Sequence, residues 1–116
     1  MENYYENIKK YNKILWKYLD LKDVNDIGQE KINEAFSPQD NMEILNWVLH
    51  KIKKNPREGY LNRIVIFIKE VETEVTIQEW FDVTKPKGFV NVVKISEKSE
   101  YRAIYNACVD YIIKNS

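Results

Sequence analysis

Apolar positions along this chain fall into two periods. From Asn3 to Leu19 they recur at steps of three and four, as Tyr4, Ile8, Tyr11, Leu15 and Leu19, with lysines and asparagines between them. That spacing predicts an amphipathic helix. Met42, Leu45, Val48, Leu49 and Ile52 repeat the pattern up to about Lys54, and Tyr101, Ile104, Ala107 or Cys108, and Tyr111 repeat it from Glu100 to about Lys114. Between these helices the period shortens to two. Asn62–Lys69 holds five consecutive large apolar residues, Ile64 to Ile68, four of them β-branched. Such a run favours an extended chain. Ile64, Ile66 and Ile68 would share one face, Val65 and Phe67 the other, and neither face suits water. This strand is therefore expected to organise the fold, with helices covering it above and below.

A second strand is expected over Val75–Val83, with Val75, Ile77 and Phe81 on one side and Thr76, Gln78 and Trp80 on the other. A third is expected over Phe89–Ile95, and an antiparallel meander is the simplest way to join the three. The polar side of the second strand sits awkwardly in the middle of such a sheet. Turns are expected at the acidic link Glu70–Glu74 and at Thr84–Gly88. Ser37-Pro38-Gln39-Asp40 reads as a capped helix start, with Pro38 in the first helical position and Asp40 in the positive first turn. Ser99 opens the last helix. From Asp20 to Phe36 the pattern weakens: a loop, then either a short helix with Ile32, Ala35 and Phe36 inward, or a turn and one irregular strand. The sum is an α+β domain over residues 1–116, a three-stranded antiparallel sheet covered by helices (an α-β-α sandwich), in the order α-α-β-β-β-α. Residues 1–34 supply the N-terminal helix and loop, and 35–114 the sandwich-like core.

Charge narrows the function classes. Lys+Arg and Asp+Glu balance at 18 each, so no global field draws in nucleic acid or a membrane surface. Arginine, the usual reader of phosphate, occurs only at 57, 63 and 102. The start Met1–Tyr5 lacks the basic and apolar stretches of a secretory leader, and no apolar run approaches the ~20 residues of a membrane span. A cytoplasmic protein is expected. The single Cys108 suits a reducing compartment and reads as a small core residue.

Catalytic signatures are absent from the pattern. His50, the one histidine, sits among lysines at a helix end, where it complements the dipole. No metal set, calcium loop or glycine-rich loop can be assembled, and no cofactor is expected. Glu70, Glu72 and Glu74 read as a solvated turn, or as a docking surface for a basic partner. What remains could hold a ligand without transforming it. Trp80, Thr76 and Gln78 share one strand face; Asn91 and Lys94 lie on opposite faces of the third strand by parity; Arg102 opens the last helix, where N–H groups favour anions. Arginine and tryptophan together grip nucleotides through charge and stacking. The plainer reading packs Trp80 under a helix and leaves Arg102 in solvent. Tyr5, Trp16 and Tyr18 beside the first helix's stripe either widen its buried face or form a partner surface, and self-association is expected from them.

Two stretches carry a resemblance. Ala35–Met42, leading into Trp47-Val48-Leu49, resembles the Phe-Ser-Pro-x-x-Asp helix start of the phage α-β-α sandwich domain proteins. Tyr101–Cys108 is similar to the Ala-Ile-x-x-Ala segment opening that family's final helix. The resemblance spans roughly residues 35–114 and departs from the family in the aromatic-rich first helix and in the long segment from Asp20 to Ala35. It implies a small phage or prophage accessory protein with an anti-defence role, which sequesters a nucleotide-like host signal. The alternative is an inhibitor that binds a host protein directly, or a structural accessory. The family has no established catalytic site, so the resemblance assigns no residue a role.

Overall fold

A computed structural model describes residues 7–19, 42–82, 84 and 88–115. Tyr4, Tyr5, the Ser37–Asp40 cap and the segment from Asp20 to Phe36 lie outside them. The element order is α1 (Ile8–Leu19), α2 (Met42–Lys54), β1 (Tyr60–Ile68), β2 (Thr73–Phe81), β3 (Val90–Glu97) and α3 (Glu100–Lys114). The strands form one antiparallel sheet in the order β1-β2-β3. The expected α+β class, element order and sheet are those of the structure. No helix among the described residues is long and apolar enough to cross a membrane.

The position of the apolar strand is a correction. β1, which holds Ile64–Ile68, is an edge strand, and Ile66, Phe67 and Ile68 are exposed. β2 occupies the middle. Its Val75 and Ile77 are fully buried, together with Val93 and Ile95 of β3, against the helices. Thr76, Gln78 and Trp80 point the other way, to a face that no described helix covers. The polar side of the central strand is no misfit, because the core that this sheet shares with the helices lies on one face.

Under the covered face runs α3, and it is buried all round. Every residue from Ala103 to Tyr111 is shielded from solvent, including Asn106 and Asp110. A helix with no solvated stripe must be covered on all sides. Here β2 and β3 cover one side, and α1 and α2 the other. The two polar side chains are paired: Asn106 Nδ2 donates to Glu97 Oε1 at 3.2 Å, and Asp110 meets Lys114 Nζ at 2.9 Å. Ser99 caps the helix by accepting the Arg102 N–H, as its place before Glu100 predicts. Tyr105, wholly buried, donates its hydroxyl to Asn12 Oδ1 of α1 at 2.9 Å. Trp16 and Tyr18 of α1 pack against the core, so most of that helix's aromatic surplus is used inside the domain.

The two ends of the β1–β2 hairpin follow from local chemistry. Between β1 and β2 the chain reverses over Glu70 and Val71, closed by Lys69 N–H donating to Glu72 O at 2.8 Å. At the other end Gly59, at φ +83°, accepts the Asp82 N–H at 2.9 Å. A side chain at Gly59 would suffer both the left-handed backbone and a Cβ only 3.2 Å from the Phe81 ring. Thr84 N–H and hydroxyl both bond Asp82 Oδ1, an Asx turn that holds Asp82 at φ 55°.

Candidate functional site

The face of the sheet turned away from the helices gathers the chemistry that the sequence singled out. Each strand contributes one polar side chain to a ladder across it. Arg63 Nε donates to Gln78 Oε1 at 2.7 Å, and Gln78 Nε2 donates to Asn91 Oδ1 at 2.8 Å. Beside the ladder, the Trp80 and Phe89 rings meet edge to face, with centroids 5.4 Å apart. The Arg63 guanidinium lies 3.9 Å from the Phe89 ring centre, so one cation both stacks and hydrogen-bonds.

Asn91 and Lys94 are three residues apart, yet both lie on this face. Parity alone would separate them. The register shifts between Ile77 and Gln78: Ile77 pairs with Val93, and Gln78 with Asn91, leaving Val92 as the extra residue of a bulge. A bulge changes which side the following side chains take. Lys94 pairs with Thr76, which pairs with Val65 on its other side. Flanked in this way, Thr76 is only 6% exposed and serves as the floor, while Lys94 stands exposed. Five of the six expected ligand-binding residues, Trp80, Gln78, Thr76, Asn91 and Lys94, are thus brought to one surface.

Arg102 is not among them. It belongs to α3, whose Tyr111 reaches Asn62 and Glu79 on the covered side of the sheet, so the sheet separates it from Trp80. The residues that sequence reasoning missed are Arg63 and Phe89. Arg63 was hidden beside the apolar run, and only cross-strand pairing shows that odd-numbered β1 residues share a face with Gln78.

A second polar cluster lies beneath the sheet. Arg57 grips Glu79 with two hydrogen bonds, at 3.2 and 2.7 Å. Asn62 Nδ2 donates to Ile52 O at 2.7 Å and to Tyr111 Oη at 2.9 Å, and Tyr111 in turn donates to Glu79 Oε2 at 3.5 Å. Burial raises the Tyr111 phenol's pKa, against the lowering effect of the Asn62 hydrogen bond. Glu79 and Asn62 are both buried; a ligand cannot reach them, and the cluster ties β1 and β2 to α2 and α3. Elsewhere a groove of about 450 Å³ runs between Ile14, Lys17 and Tyr18 of α1 and Ile112 and Ile113 of α3. Its lining is mostly hydrocarbon and offers no base-sized stacking pair. Among the described residues no group of three or more His, Cys, Asp and Glu could hold a metal ion. No family model, curated protein or solved structure matches the chain.

Proposed function

We propose that this chain is a non-catalytic binding protein whose open sheet face holds a flat ligand of nucleotide type. The observation that supports the reading is the Arg63–Gln78–Asn91 ladder lying beside the Trp80–Phe89 pair. Aromatic rings and a guanidinium plane accept a base by stacking, amides read its edge, and Lys94 lies within the same face to meet a phosphate. Nothing in such a site needs to activate a nucleophile. With a phage origin, as the resemblance implies, the biological role is an accessory, anti-defence one: the protein sequesters a nucleotide-type host signal.

The test is calorimetry of the purified chain against cyclic nucleotides and ADP-ribose-like molecules, with release of any carried ultraviolet-absorbing compound by heat. Binding by the parent should weaken by about 1–3 kcal/mol in Trp80→Ala and in Asn91→Ala. Arg102→Ala, across the sheet, should bind as the parent does. No heat from any member of the panel would remove the nucleotide reading and leave an inhibitor of a host protein in its place.

A further inference from the structure

We infer that β1 is a dimerisation strand, pairing antiparallel with β1 of a second copy to make one continuous six-stranded sheet. The two edges of this sheet are unequal. β3 carries a bulge, exposed Asn91 and Lys94, and a Lys114 Nζ that bonds Val92 O at 3.1 Å. These are the devices that keep an edge from recruiting another strand. β1 has fewer of them: its nine residues pair with β2 without a register shift, contain no proline and no lysine, and carry one charge, Arg63. Its outer end is apolar and open, with Phe67 56% and Ile68 70% exposed.

The backbone direction is fixed by the hairpin. Lys69 N–H and Gly59 C=O both point to β2, so the odd positions of β1 serve the β2 ladder. The N–H and C=O of Ile64, Ile66 and Ile68 therefore face away from it and meet no other strand among the described residues. In a two-fold pair, residues opposite one another share a face, and that leaves few registers. Placing Ile66 on the axis would set Arg63 against Lys69 of the other copy, a like-charge pair. Placing Ile64 there would need the Tyr60 N–H, which is already committed to Arg57 O at 2.9 Å. Val65 on the axis avoids both faults. Ile64 then exchanges hydrogen bonds with Ile66 of the other copy, and Arg63 lies opposite Phe67 instead of a like charge. The strand is thus complementary to itself, and the balanced charge of 18 against 18 sets up no long-range repulsion between copies. Arg63 belongs to the open-face ladder as well, but the register rests on the β1 backbone.

Light scattering and sedimentation of the purified chain at micromolar concentration should give a dimer. Val65→Cys should cross-link quantitatively under mild oxidation, because two Val65 positions would face each other where side chains come closest; Cys108 is buried and should not compete. Ile66→Pro removes an outward N–H, costs no β1–β2 hydrogen bond, and should shift the chain to monomer with its melting curve kept. Ile68→Lys should do the same and stands in if the proline variant does not fold. A parent that is monomeric at every concentration overturns the inference. So does a dimer that survives both substitutions, or one that Val65→Cys fails to cross-link.

Discussion

β1 and β2 are neighbours of equal length, nine residues each, and their compositions point opposite ways. β1 holds the densest apolar run in the chain, and its second half lies at the solvent edge. β2 mixes valine and isoleucine with Thr, Glu and Gln, and sits at the centre with Val75 and Ile77 fully buried. The difference teaches that burial is assigned by pairing order and by where helices dock, and that apolar content is only a constraint on the answer. A central strand in a sheet covered on one face needs alternate apolar positions, and β2 supplies them.

Substitution in the two strands should break or keep this contrast most sharply. Ile77→Asp buries a charge without a partner in the core and should leave no cooperative melt. Ile66→Asp, at 38% exposure on the edge, should leave a folded chain. Milder changes should keep the order: Ile77→Ala is expected to cost about 2–5 kcal/mol in urea denaturation, and Ile66→Ala less than about 1.5. Equal losses would show that the edge strand carries as much of the core as the central one.

Smaller in effect, and a refinement of the same contrast, is Asn62→Ala. Asn62 is the β1 residue locked inward, and its loss leaves Ile52 O and Tyr111 Oη without their donor. A destabilisation of about 1–3 kcal/mol is expected, more than for Ile66→Ala two turns of the pleat away. A near-neutral result would mean that the buried Asn62 Oδ1, which has no partner, offsets what its amide contributes.

The least effect belongs to alkaline pH. Burial pushes the Tyr18 phenol up to about 12 from an ordinary 10. A raised folded-state pKa contributes stability that is fully present below pH 10 and is lost as pH rises from 10 to 12. Tyr18→Phe should therefore flatten the alkaline end of the stability curve without moving the neutral plateau. An unchanged alkaline slope would place the titrating groups elsewhere.

Much of the architecture was legible in the sequence. The periods of two and three to four gave every described element, and Ser99 gave a cap that the structure uses. What could not be read was relational. The bulge at Val92, which carries Asn91 to the side of Lys94, is a property of two strands and leaves no mark on either. The burial of Glu79 leaves no local mark, because the Arg57 that makes it tolerable lies 22 residues away. Arg63 and Phe89 come together only once β2 lies between their strands. The site residues on β2 itself were legible, since Thr76, Gln78 and Trp80 share a parity that no pairing can alter.

The all-round burial of α3 also sets the order in which a nascent chain can fold. α2 packs against α3 as well as β1 and α1, and Tyr111 is made roughly sixty residues after Ile52, a delay of about 3–12 s at ordinary elongation rates. Through that interval the apolar faces of α1, α2 and the sheet are on the ribosome without the helix they share, and β1 exposes its apolar edge throughout. Until that last helix is made, the core these elements share with it cannot close.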